Sequence, residues 1–232
     1  MVYNSLFNNI LNSLLPASCG LCNAATGKHL PLCQPCLSEL PFLGTACSSC
    51  ALPMATAGSC GKCQQHRPAC DMTLALFLYQ EPVSLLVQQF KFSRKLEYSL
   101  VFSTLMAKKL LSLPEQPDML IPVPLHSSRL RSRGFNQSWE ITRQLSRITS
   151  INTSHKTCQR IKKTPLQTGL KASERRQNLK QAFAITANVK DLHVCIVDDV
   201  MTTGSTLEAI AVALKAAGAA RVSGLVVARA VL

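Results

Sequence analysis

The sequence predicts an α/β fold with a largely parallel sheet flanked by helices, preceded by a small cysteine-rich module. Three observations support this. Apolar, β-branched runs alternate with helix-forming stretches from Met72 onward. The run Val194 to Val197 ends in the adjacent acids Asp198 and Asp199, followed by a Thr/Gly/Ser loop and a helix-forming segment from Leu207 to Ala217. Eight of the eleven cysteines form four Cys-x-x-Cys pairs, all of them ahead of Cys70.

In chain order, Leu6, Phe7, Ile10, Leu11, Leu14 and Leu15 fall at helical spacing and predict a short packing helix. The pairs Cys19/Cys22, Cys33/Cys36, Cys47/Cys50 and Cys60/Cys63 come next. The offset from Cys19 to Cys47 nearly equals that from Cys33 to Cys60, which marks an internal duplication. A Cys-x-x-Cys turn lets two thiolates face one ion, and two such turns complete a tetrahedron. Two zinc sites, each of four cysteines, are therefore predicted. We favour sequential pairing within each repeat, though spacing alone leaves interleaved pairing open. A disulfide framework needs an oxidising compartment, and iron–sulfur ligation suits duplicated ribbons less well. Metal binding also explains how a segment so poor in apolar residues folds. His66 and Cys70 lie just past the last pair as loop residues or spare ligands, and Cys195 is expected to pack within its strand.

The second domain is expected over residues 71–232, after a module over residues 1–70. Residues 72–79 read as a strand, Val83 to Phe92 and Leu96 to Leu111 as helices, and Met119 to Val123 as a buried strand. An Arg-rich loop follows, carrying Arg129, Arg131 and Arg133, and then a helix from about Ser138 to Ile148. Residues 157–161 and 182–186 are further strand candidates, with a helix at 172–180 between them. Gly218 is placed to end the 207–217 helix, before a last strand from Val222 to Val231.

The loop Thr202-Thr203-Gly204-Ser205-Thr206 turns at Gly204 and presents hydroxyls and backbone N–H groups to one point. Ser205-x-x-Glu208 matches a capping box, which sets a helix N-terminus beside it. Such a corner cradles phosphate. The same corner repels carboxylates, so Asp198 and Asp199 must face something else. Ribose hydroxyls or a divalent cation suit them. Together these describe a site for a phosphoribosyl ligand. In open parallel sheets such ligands sit at the carboxyl ends of strands, where both this loop and the arginine loop fall.

Composition limits the alternatives. No apolar run reaches the ~18–20 residues that span a bilayer. No Lys or Arg precedes Lys28, so a secretory n-region is not expected and a cytoplasmic location is. The net charge of +13 is concentrated in residues 126–181, where 13 basic residues face only Glu140 and Glu174. That patch suits a polyanion, either pyrophosphate or a nucleic-acid backbone. Aromatic content of 5% leaves few stacking platforms, so DNA affinity would be mainly electrostatic.

The strand–Asp198-Asp199–x–x–Thr-Thr-Gly-Ser-Thr206 run closely resembles the phosphoribosyl pyrophosphate (PRPP) loop of type I phosphoribosyltransferases. In that fold the loop following a strand such as Met119–Val123 binds pyrophosphate. This makes Arg129, Arg131 and Arg133 candidates, since guanidinium forks bind phosphate oxygens bidentately. Lys162 to Leu170, leading to Arg175 and Asn178, looks like the mobile loop covering the site in that fold; a plain connection accounts for it equally well.

Taken whole, the chain resembles the ComF family of competence-associated proteins, which includes GntX-like members. The likeness rests on the duplicated Cys-x-x-Cys module, Lys91-Phe92, Pro122 to Leu125, Arg129-x-Arg131-x-Arg133-Gly-Phe-Asn136-Gln137, Thr164-x-x-Gln167, Arg175-x-x-Asn178 and Asp198 to Thr206. It implies a type I phosphoribosyltransferase-like domain behind a double zinc ribbon, working in uptake of transforming single-stranded DNA. On this basis Thr202 to Thr206 hold the 5′-phosphate. Asp198 and Asp199 bind the ribose with Mg²⁺, and the three arginines face the pyrophosphate. No acid is an obvious general base, which matters little where positioning and charge stabilisation dominate. Three expectations follow: an active transferase, a nucleic-acid-binding PRPP sensor, and a zinc-dependent docking protein for a helicase or uptake partner.

Overall fold

The computed structural model describes residues 18–26, 30–93, 95–161 and 182–231. The expected helices at 6–15 and 172–180, and the covering segment 162–170 with Arg175 and Asn178, lie outside the described residues.

The strands of the main sheet are β1 (Met72–Leu78), β2 (Met119–Pro122), β3 (Asn152–Thr153), β6 (His193–Met201) and β7 (Arg221–Arg229). They lie side by side in the order β1-β7-β6-β2-β3, every neighbouring pair parallel. A separate antiparallel pair joins β4 (Cys158–Arg160) to β5 (Phe183–Ile185). Val194 to Val197 and Leu225 to Ala228 are buried throughout, as strands covered on both faces must be. Two differences from expectation stand out. β3 has only two residues, too short to leave a pattern in the sequence. β6 runs on through both acids to Met201, because Asp198, Val200 and Met201 keep their ladder partners Val226, Ala228 and Arg229.

Two one-turn helices, α1 (Gln34–Ser38) and α2 (Gly61–Gln65), belong to the cysteine-rich segment. Helix α3 (Val83–Phe92) buries Val83, Leu86, Val87 and Phe90, the i, i+3, i+4, i+7 stripe of an amphipathic helix. Next come α4 (Tyr98–Leu111), the short α5 (Ser127–Arg133) and α6 (Gln137–Thr149). Helices α3, α4 and α6 cover one face of the sheet, where Phe90 and Phe102 meet edge-on at 5.9 Å between ring centroids. Truncating a fully buried Phe there costs about 3–5 kcal/mol. Helix α7 (Ser205–Ala216) covers the other face through Leu207, Ile210, Ala211 and Leu214. It sits close: a Cβ on Gly224 of β7 would meet Leu207 Cδ2 at 2.6 Å. Gly218 ends α7 in the left-handed region (φ 94°), as predicted.

The cysteine-rich segment is woven into this core. Its first half packs Cys19, Leu32 and Leu40 into the core on the α3/α4/α6 side. Its second half packs Leu43, Ala51 and Cys70 into the core on the α7 side. Between them the chain runs along the outer edge of β1. The Leu43 N–H donates to Leu76 O (2.7 Å), that of Leu78 to Pro41 O (2.9 Å) and that of Thr73 to Ser48 O (2.9 Å). Phe42 lies against Phe77 at 4.8 Å. The module thus straddles the edge strand and touches both faces.

Candidate functional site

The two cysteine repeats fold alike. Asn23 and Ala51, at equivalent places in the two repeats, both take positive φ (60° and 54°) and close their turns with N–H bonds to Cys19 O and Cys47 O. Helices α1 and α2 start directly after Cys33 and Cys60. The sulfurs gather as Cys19, Cys22, Cys33, Cys36 and as Cys47, Cys50, Cys60, Cys63, each set within 4.8 Å of one another. This is the sequential pairing.

The geometry fits zinc. Four sulfurs at ~2.3 Å from a tetrahedral ion stand ~3.8 Å apart. Cys22 to Cys33 measures 3.6 Å and Cys50 to Cys60 measures 3.8 Å, far from the ~2.05 Å of a disulfide. Electrostatics agree. Burial raises the Cys47 thiol, but N–H groups of Cys60, Cys50 and Ser49 outweigh it and bring it down to about 6. Cys19 likewise falls to about 6, with burial opposed by N–H groups of Cys33, Cys22 and Leu21. Burial and the neighbouring sulfurs of Cys50 and Cys60 drive Cys63 upward. Thiolates held this close need a cation, and the N–H groups already favour their charged form. Cys70 joins neither set: it is buried, with its thiol pushed up to about 11 by that burial. Cys195 is buried in β6, as expected.

The carboxyl ends of β2 and β6 form a topological switch point of the sheet. These strands are adjacent, yet β2 leads on to β3 on one side and β6 to β7 on the other. Such a switch point opens a crevice for ligands. Asp198 Oδ1 accepts from the Ser138 hydroxyl at the start of α6 (2.8 Å) and from the Asp199 N–H (2.9 Å). Asp199 is 8% exposed and pairs with Lys91 Nζ of α3 at 2.7 Å. Burial raises the Asp198 carboxyl to about 7; the charge of Asp199 adds to this, and the Ser138 bond and Lys91 oppose it.

Beyond the acids, Thr202 and Thr203 are exposed and Gly204 takes φ 79°. A Cβ on Gly204 would meet Met201 Cε at 2.5 Å. The predicted capping box does not form. Gly204 is the N-cap of α7 and no side chain caps it, while Glu208 accepts the Ala69 N–H with both oxygens (3.1 and 3.0 Å). Glu208 is held by the chain entering β1, and the Ser205 N–H at the first turn of α7 meets the Thr203 hydroxyl oxygen at 3.4 Å. Ser205 meets the Thr203 hydroxyl at 2.9 Å.

The expected arginine loop is the short helix α5. His126 caps its start by accepting the Ser128 N–H, and Gly134 (φ 83°) ends it, with no Gly or Pro between. The helix separates the arginines. Arg129 and Arg133, four apart, share one side, and Arg131 is turned away from them. Arg133 donates to Gln137 Oε1 (2.7 Å) and lies over the Phe92 ring at 5.1 Å. Its basicity is lowered by burial, with the Asp199 charge working against that and Arg129 with it. Lys91, Phe92, Ser132 and Arg133 line a hollow of about 290 Å³.

Residues 97–230 match the phosphoribosyl transferase domain family, and residues 10–64 match the double zinc ribbon domain family. The DNA utilization protein YhgH of Salmonella typhi is 37% identical over 216 residues, covering 90% of this chain and 95% of that one. Competence protein F of Haemophilus influenzae is 36% identical over 210 residues, 86% of each chain. The chain belongs to the ComF/YhgH family. A more distant relative, competence protein ComFC of Bacillus subtilis, is 27% identical over 189 residues, 76% of this chain and 74% of that one.

In this ComF-family chain, Lys91 pairs with Asp199 and Arg133 feels its charge, Thr202 to Ser205 line a cleft beside the second zinc ribbon, and Arg129 and Arg131 are exposed on α5. Three contributors escape a reading of the sequence. Lys91 is visible there in the Lys91-Phe92 resemblance and in a basic cluster with Arg94 and Lys95, without a role. Ser138 carries no signal. Arg229, 8% exposed at the end of β7, donates to Cys50 O (3.0 Å), to Met201 O (3.3 Å) and to Thr202 O. It thereby ties the second zinc ribbon to the loop.

Proposed function

We propose that the protein binds PRPP in the β2/β6 crevice and acts in the uptake or processing of transforming single-stranded DNA. The observation that carries this is the position of Asp198 and Asp199, between the start of α7 and an arginine-bearing helix at a switch point of a parallel sheet. Thr202, Thr203, Gly204, Ser205 and Thr206 take the 5′-phosphate. Asp198 and Asp199 take the ribose hydroxyls. Mg²⁺ arrives with the diphosphate, since no third acidic or histidine ligand gathers at these acids among the described residues. Arg133 and Arg129 face the pyrophosphate, and Arg131 extends the basic surface. The DNA context rests on relatives named for competence and DNA utilization. A cytoplasmic location fits that context, and no helix among the described residues is long and apolar enough to cross a membrane.

As a transferase, the site would break the ribose C1–O bond as an acceptor attacks C1. Pyrophosphate leaves with the bonding electron pair and the acceptor loses a proton. Titration calorimetry with PRPP and Mg²⁺ tests the binding. Wild type is expected to bind, and Asp199→Ala to bind at least tenfold more weakly, about 1.4 kcal/mol and the low end for a charge-assisted hydrogen bond. No heat from wild type with PRPP would sink the reading. Pyrophosphate release across candidate acceptors separates an enzyme from a sensor.

A second, compatible reading is single-stranded DNA binding. It is favoured by Phe92, 70% exposed beside Lys91 and Arg133, the arrangement of a base-stacking platform with a cationic rim. Filter binding should then weaken steeply with salt, and Phe92→Ala should weaken it further. Docking of a helicase or uptake protein on the zinc module is a third role. Deleting residues 1–70 is a poor test of it, because that also removes the hydrogen-bonded cover of β1; surface variants of α1 serve better.

A further inference from the structure

Beside the loop 202–206 lies a cleft of about 420 Å³ whose opposite wall is the second zinc ribbon. Thr202, Thr203, Gly204 and Ser205 form one side. Lys62, His66 and Arg67 stand on the other, all exposed. None of these three side chains makes a hydrogen bond or a contact ion pair among the described residues. Arg67 feels the charge of Asp71, but that carboxylate is itself paired with Lys215 at 2.7 Å. Glu208, the one acid lining this cleft among the described residues, accepts the Ala69 N–H with both oxygens. Arg229 holds the two walls in register through Cys50 O and Thr202 O. Three basic side chains without a contact partner thus stand across a cleft from the start of a helix, and each of these two features favours an anion between them.

We propose that the second zinc ribbon is part of the phosphate site, with Arg67 and His66, assisted by Lys62, contacting the 5′-phosphate monoester of the phosphoribosyl ligand from the side opposite the loop. This rests on the PRPP reading and adds to it a set of recognition residues from outside the phosphoribosyltransferase-like domain. The ribbon then recognises the monoester end of PRPP, and α5 recognises the diphosphate end. A ligand with only one of these groups distinguishes the two walls.

The test uses the full-length, zinc-loaded chain and three probes: PRPP, ribose 5-phosphate and inorganic pyrophosphate. Arg67→Ala and His66→Ala are the variants, because both lie outside the Cys60-x-x-Cys63 turn. Zinc content and thermal unfolding are measured alongside. Each variant should retain two zinc ions and its unfolding temperature. Each should bind PRPP and ribose 5-phosphate about tenfold more weakly, the scale of one charge-assisted hydrogen bond, with pyrophosphate affinity unchanged. Arg67→Lys should recover part of the loss. Wild-type affinity for ribose 5-phosphate in both variants would overturn the assignment while leaving PRPP binding intact. Equal losses for pyrophosphate would overturn the division between the two ends. Failure of wild type to bind PRPP at all would remove the underlying reading and this one with it.

Discussion

Lys91 Nζ lies 2.7 Å from Asp199 Oδ1, linking the last turn of α3 to the end of β6 across the crevice floor. Two adjacent carboxylates repel each other, and this ammonium neutralises one of them where a diphosphate must approach. Lys91→Met should therefore weaken PRPP binding about tenfold, the low end for a charge-assisted bond. The pair is partly solvated, so apo stability should fall by only about 1–2 kcal/mol. Calorimetry and thermal unfolding read the two effects, and Lys91→Arg should restore most of each.

Asp198 makes stability depend on pH. Its folded-state pKa is raised from 3.8 to about 7, chiefly by burial. The folded protein therefore holds a proton that the unfolded chain has released. This contribution is full below about pH 4 and is lost as pH rises through 7. Asp198→Asn should flatten that part of the unfolding profile. Ligand binding runs the opposite way: the carboxylate accepts ribose hydroxyls, so PRPP affinity should rise through pH 7 in wild type and much less in the variant.

Two zinc ions per chain are expected by mass spectrometry under native conditions. Cys36→Ser and Cys63→Ser should each lose one, because the sulfurs form two separate sets. A variant that lost both at once would show that the repeats do not close independently.

The geometry of α5 ranks its arginines. Arg133→Ala should cost PRPP binding about 1.5–3 kcal/mol, Arg129→Ala less, and Arg131→Ala least. Equal effects from all three would mean that the helix is rebuilt on binding.

Gly204→Ala places a side chain at φ 79° and against Met201 Cε. The backbone penalty alone is about 1–2 kcal/mol. Unfolding temperature should fall by a few degrees and PRPP affinity should drop, with zinc content unchanged.

The sequence was most readable where chemistry is local. Cysteine spacing exposed both metal sets, because a Cys-x-x-Cys turn is defined within a single short loop. The run from Val194 to Thr206 placed a strand, two acids and a helix start in their correct order. It misled where a long-range contact won. Ser205 and Glu208 spell a capping box, but Glu208 bonds Ala69, far away along the chain. The arginine segment read as a loop because it directly follows a strand, yet His126 and Gly134 supply both helix stops. Lys91, Ser138 and Arg229 gain their roles only from tertiary packing, so no spacing announces them.

The cover that the cysteine-rich segment provides for β1 has a further consequence. Stripped of metal, that segment would let go of a strand whose outer N–H and C=O groups are then bare from Met72 to Leu78. Such a rim recruits other chains, so scarcity of zinc should show first as clumping during synthesis, before any change in ligand handling is measurable. Supplying metal at expression, instead of after purification, would decide whether the protein is recovered dispersed at all.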